Sequence, residues 1–102
     1  MRDAANETID NRARLDVWLW RARFFKTRTE AGRFVAEGKV RLERKGAIRR
    51  VEKPAAMVSV GDKLIFARQD RVISLVLLAL GHRRGPPAEA RSLYSDITLE
   101  QG

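Results

Sequence analysis

At 102 residues, 44% hydrophobic and 33% charged, the chain has the composition of one folded domain, with apolar surface enough for a single core and none to spare for a separate catalytic unit. It has no cysteine, which excludes disulfides, thiolate chemistry and cysteine-ligated zinc and fits a reducing compartment. Of its net charge of +8, the stretch 12–50 accounts for all, with thirteen basic residues against four acidic, and charge this concentrated on a small folded unit points to a polyanionic partner.

Residues 1–11 are polar, mixed in charge and without apolar periodicity, and read as a flexible N-terminal tail. Asp3, Asn6, Glu7 and Asp10 leave no apolar core for a signal peptide. The longest apolar run, Val72 to Leu80 with Ser74 inside it, falls far short of the roughly 20 residues of a membrane span. A cytoplasmic protein without a membrane partner is expected.

A first helix is predicted from about Leu15, with Leu15, Trp18, Leu19, Ala22 and Phe25 on one face, ending at Phe25 or Lys26. Thr27 and Glu30 have the spacing of a capping box, which starts a second helix at Arg28 and makes the two meet at a corner. The second helix buries Ala31, Phe34 and Val35, turns Arg28, Arg33 and Glu37 outward, and leaves through Gly38. Lys39 to Glu43 alternates as a strand, Val40 and Leu42 inward, Lys39 and Arg41 outward.

Arg44 to Lys53 is dense in charge, with Gly46 marking a turn and too few apolar positions for a strong strand, so a flexible basic loop or hairpin tip is expected, Arg49 and Arg50 included. Pro54 interrupts pairing, Val58 and Val60 resume alternation, and Gly61-Asp62 turns into a strand over Lys63 to Ala67. Gln69-Asp70 turns the chain into a buried strand over Val72 to Leu80. Gly81 to Pro87 reads as a loop, and Pro87 opens a last short helix through Leu93 and Tyr94. The fold class is α+β: a helix corner followed by a small, mostly antiparallel sheet and a short C-terminal helix.

A scattered surplus of charge is ordinarily a solvated face, but Arg23, Lys26, Arg28, Arg33, Lys39 and Arg41 all come from the corner and the strand leaving it, and are expected to share one side. Several cations neutralising phosphates release counterions and bind nucleic acid strongly, and arginine also stacks on bases. Trp18 and Phe34 lie on core faces. Trp20 and Phe24 lie opposite, either packed by Leu93 and Tyr94 or free to stack on RNA. His82, the single histidine, has no sequence partner for general-base work, and Asp62 and Asp70 belong to turns, so neither a catalytic site, a metal site nor a cofactor is expected.

The ordered segments Arg14-Leu15-Asp16-x-Trp18-Leu19-Trp20, Phe24-Phe25-Lys26-Thr27-Arg28, Glu37-Gly38-Lys39-Val40, Lys53-Pro54 and Val60-Gly61-Asp62 resemble the RNA-binding domain first known from ribosomal protein S-four. Within it, the run Leu19 to Thr27 and the later Arg83, Arg84, Pro87, Glu89-Ala90 and Leu93-Tyr94 are similar to the ribosome-associated heat shock protein 15 family. The resemblance implies the αL motif over 12–82, with 83–102 as an extension packing on or trailing from it. It implies a monomeric binder of RNA, namely large-subunit ribosomal RNA and tRNA on free large subunits carrying a nascent chain, in ribosome rescue or recycling under heat stress. The RNA-binding residues it implies are Arg14, Arg21, Arg23, Lys26, Thr27, Arg28, Arg33, Lys39, Arg41 and Lys45. Three departures stand out: Val17 where a lysine is common, Leu42-Glu43-Arg44-Lys45-Gly46 in place of an Asn-Gly turn, and an end at Gly102 without a long basic C-terminal extension. A generic RNA or DNA binder without a ribosomal role and a nuclease are the alternatives.

Overall fold

The structure is a computed structural model and describes residues 8–9 and 11–98. The chain runs β1 (Thr8–Ile9), β2 (Arg12–Arg14), α1 (Leu15–Arg21), α2 (Arg28–Ala36), β3 (Val40–Arg44), β4 (Ala47–Val51), β5 (Met57–Ser59), β6 (Lys63–Arg68), β7 (Arg71–Leu77), α3 (Pro87–Arg91) and β8 (Tyr94–Asp96). The strands form two antiparallel sheets, one ordered β1-β2-β5 and one ordered β4-β3-β6-β7-β8.

Strand alternation puts Val40 and Leu42 of β3, Leu64 and Phe66 of β6, and Leu75 and Leu77 of β7 on one face of the larger sheet, and all six are buried. Against them pack Leu15, Trp18 and Leu19 of α1 and Ala31 and Val35 of α2, which together make one core. Trp18 is fully buried and satisfies its indole N–H on the Ala79 carbonyl at 2.9 Å. The first amides of α1 are satisfied from the loop before β5, Leu15 N–H on Ala56 and Asp16 N–H on Pro54. Val17, the first departure noted above, is also fully buried, so position 17 belongs to the core and offers no phosphate contact.

The first helix ends at Arg21, a turn earlier than its apolar spacing predicts. Arg23 adopts φ +67°, and Phe24 N–H reaches the Leu19 carbonyl while Arg23 N–H reaches that of Trp20, the paired bonds of a Schellman ending. A left-handed arginine costs about 1–2 kcal/mol. Packing offsets it: leaving the helix sends Phe24 toward Phe66 and Tyr94, at 5.3 and 5.0 Å, and Phe25 toward Phe34 at 5.0 Å. Two neighbouring rings thus both reach apolar contacts, which settles Phe24 as a packing residue.

The charged stretch 44–53 is also corrected. Ala47–Val51 is an edge strand in continuous register with β3, with Val40 opposite Val51 and Arg41 opposite Arg50. Lys45 and Gly46 take φ +53° and +83°, the two positive values of a type I′ hairpin turn. The apolar alternation that identifies strands is missing because only Val51 is buried, and charges on an exposed edge also discourage pairing with other chains.

Near the C-terminus, Pro87 opens the short helix as expected, but the chain leaves it before Leu93, and Tyr94 lies on β8 paired with Leu77. The Leu93 carbonyl accepts from Leu78 and Ala79 N–H, and Leu93 enters the core, so 83–96 belongs to the same packed unit as 12–82. β7 ends at Leu77, three residues short of the expected strand. Within the expected tail, Thr8–Ile9 pairs with Arg12 and Ala13; residues 1–7 and 10 lie outside the described residues.

Tyr94, the single tyrosine, packs against Trp18 and Phe24, and burial, aided by Asp96, raises its phenol above the usual range. A raised folded value means the protein is stabilised below the unfolded tyrosine's pKa and loses that contribution as pH rises through the folded one. Ultraviolet absorbance titration should place the phenol's midpoint above that of the denatured chain; coincident midpoints would remove Tyr94 from the core.

Candidate nucleic-acid interface

The corner between α1 and α2 is held by groups far apart in sequence. Thr27 Oγ1 accepts the Glu30 N–H at 3.0 Å, capping α2 as the Thr-x-x-Glu spacing implies. The early end of α1 turns the Phe24 and Phe25 carbonyls away from the helix. Arg68 Nε donates to Phe24 O at 2.9 Å with its guanidinium 4.1 Å from the centre of the Phe25 ring, and an Arg84 terminal nitrogen donates to Phe25 O at 3.4 Å. Arg23 Nε donates to Gly85 O at 2.6 Å. Arginines at 68 and 84 therefore serve the corner's backbone. Their role was not legible, because nothing in a linear charge pattern separates a carbonyl-binding arginine from a phosphate-binding one.

The ten candidate residues fall into different places. Lys26, Thr27 and Arg28 are exposed on the corner, and Arg28 lies 5.8 Å over the ring of the half-buried Trp20. Arg33 opens on the other flank of α2, lining a shallow cleft with Phe25, Glu30, Phe34, Glu37 and Arg68. Lys39 pairs with Glu37 at 3.0 Å and approaches the Phe34 ring at 5.6 Å. Arg41 projects from the sheet face opposite the core, beside Arg50 and Ile65. Lys45 is exposed on the hairpin turn.

Two candidates are already occupied by the fold. Arg21 is only 3% exposed and its guanidinium donates to the Leu80 and Gly81 carbonyls, so it staples α1 to the segment after β7. Arg14 grips the buried Asp16 with both Nε and a terminal nitrogen, at 3.1 and 2.9 Å. Nor do the six cations of the corner and strand share one side. Arg28 and Arg33 are five residues apart, which separates them by roughly 140° around a helix, and Arg41 faces away from the helices. The positive surface wraps the corner instead of forming one flat face.

Among the described residues no group of three or more His, Asp or Glu side chains is placed to hold a metal ion, and no helix is long and apolar enough to cross a membrane. His82 is exposed and lines an apolar cleft with Val60, Leu78 and Leu80.

The profile of the S4 domain matches residues 13–64. The chain is 33% identical over 87 residues to the heat shock protein 15 homolog of Haemophilus influenzae and 32% identical over 83 residues to heat shock protein 15 of Escherichia coli K12, covering 85% and 81% of this chain. It spans 63% and 59% of those two relatives' lengths. The structure superposes on that of Vibrio cholerae heat shock protein 15, described as trimeric, with a TM-score of 0.75, 29% identity and 88% of each chain covered.

Proposed function

Because the chain belongs to the S4 domain family, whose matched span holds the helix corner, we propose that it is a non-catalytic RNA-binding protein of the ribosome. The observation that carries this is the corner itself. Lys26 and Arg28 stand exposed on a non-helical turn whose cap and carbonyls are tied down by Thr27, Arg68 and Arg84. Cations held on a rigid support lose little freedom when they meet a phosphate, and each charge-assisted contact contributes about 1.5–3 kcal/mol.

Similarity to heat shock protein 15 across most of the chain supports a cytoplasmic, ribosome-associated role in heat stress. The bound form we propose is the free large subunit carrying a nascent chain on tRNA, with contacts to ribosomal RNA and tRNA, in rescue or recycling. RNA is preferred over DNA, and the RNA-contacting set becomes Arg23, Lys26, Thr27, Arg28, Arg33, Lys39, Arg41 and Lys45, with Arg14 and Arg21 withdrawn to structural roles.

Co-sedimentation with separated ribosomal subunits tests it. The protein should travel with free large subunits, more so when they carry peptidyl-tRNA, and not with small ones. Equal pelleting with both subunits and with random RNA would favour a generic binder, and loss of intact RNA during incubation would favour a nuclease. The free protein's own sedimentation decides between the expected monomer and the trimer described for the Vibrio relative.

A further inference from the structure

The β6–β7 hairpin ends in a tip that is unfavourable to the folded protein alone. Its two turn residues, Gln69 and Asp70, are both non-glycine at positive φ, +53° and +65°. The residues that close the turn, Arg68 and Arg71, are directly opposite in the ladder, a like-charge pair of the kind that weakens sheets. Both lie on the sheet face that carries Phe66 and Ile73, the face turned toward the helices. There they meet two more cations, Arg23 and Lys26, around a cleft of about 300 Å³ floored by Phe24 and Ile73. No acidic side chain lines this cleft, in contrast to the neighbouring one around Arg33, which includes Glu30 and Glu37.

The four cations differ in how far they are engaged. Arg23 and Arg68 each use Nε on a backbone carbonyl, which orients the guanidinium, while Lys26 and Arg71 are exposed and have no hydrogen-bond or ion-pair partner among the described residues. Asp96 feels Arg71 only weakly: its carboxyl lies below the usual range chiefly because Thr98 donates to it. The S4 profile ends at residue 64, so the tip stands outside that span.

We infer that Arg68 and Arg71 form, with Arg23 and Lys26, a second phosphate clamp that holds the backbone of the bound RNA as it leaves the helix corner. The inference rests on the RNA-binding reading above. A phosphate placed between Arg68 and Arg71 converts their repulsion into shared attraction, and the apolar floor accommodates the attached sugar. Two oriented guanidiniums and a mobile lysine supply the fork geometry and point charge that such a group takes.

The test is fluorescence anisotropy of a fluorescein-labelled RNA stem-loop against wild type, Arg71→Ala, Arg71→Lys and Arg28→Ala over a range of salt. Arg71→Ala, at an exposed position, should weaken binding about tenfold and make the salt slope shallower by about 0.7–0.9. Arg71→Lys should retain the wild-type slope. An Arg71→Ala protein with wild-type affinity and slope would overturn the clamp even where Arg28→Ala weakens binding and the RNA reading stands. Equal losses of slope in Arg71→Ala and Arg71→Lys would overturn it too, by assigning the effect to structure in place of charge. Failure of the wild-type protein to bind the stem-loop would instead sink the RNA reading and the clamp with it.

Discussion

Replacing Trp18 with alanine is expected to cost about 3–5 kcal/mol of stability, the largest effect of any single change considered. The ring is fully buried, packs at 6.2 Å from Tyr94 and 6.4 Å from Phe24, and donates its N–H to Ala79. Truncation therefore opens a cavity between α1 and the larger sheet and also leaves the Ala79 carbonyl without its indole donor, a second penalty for a polar group away from water. For a domain whose total stability is of the order of 5–15 kcal/mol, such a loss puts much of the population close to unfolding. Urea denaturation followed by circular dichroism measures it directly. Trp20→Ala serves as the comparison: that ring is half-buried and lies beneath Arg28, so its removal should cost far less stability. Similar small losses at both tryptophans would mean that the phase of α1 is wrong.

The second large effect is electrostatic. If about six phosphates are contacted, log affinity for RNA should fall against log salt with a slope near −4 to −5, a loss of about 10²- to 10³-fold between 50 and 200 mM salt. The arrangement of the cations gives the slope diagnostic value. Lys26 and Arg28 stand on the corner, Arg33 and Lys39 on the other flank of α2, and Arg41 on the far face of the sheet. A slope near −2 would mean that the RNA touches the corner alone, whereas −4 or steeper requires an RNA that wraps around it. A slope near zero would remove the polyanion partner altogether.

Much of this was legible because it depends on local chemistry. The Thr27 cap, the Gly38 exit at φ +77° and the burial of Val40 and Leu42 follow from residue types at short spacing, and all are present. So does the identity of the core: every residue on the predicted inner face of the first helix is buried, even where the helix itself stops short. What failed were readings that required knowing which element lies opposite. Arg49 and Arg50 look mobile in a charged run, yet they sit in a ladder with β3, so the contrast between a rigid Arg28 and a flexible Arg49 does not hold. Tyr94 continues a helical pattern but pairs with Leu77, because β7 presents an open edge there.

Composition and periodicity by themselves determined the charge of the protein, its single core, the corner and the order of most strands, since these depend on which side chains avoid water and which backbone angles a residue tolerates. Tertiary structure alone decided what each arginine does. An identical side chain is buried against the Leu80 and Gly81 carbonyls at Arg21, bound to a carboxylate at Arg14, stacked on a ring at Arg68 and exposed at Arg71. The physical reason is that a guanidinium goes to the nearest acceptor that the fold leaves unsatisfied, and those acceptors are carbonyls and carboxylates brought near from segments as many as 60 residues away, as between Arg21 and Gly81.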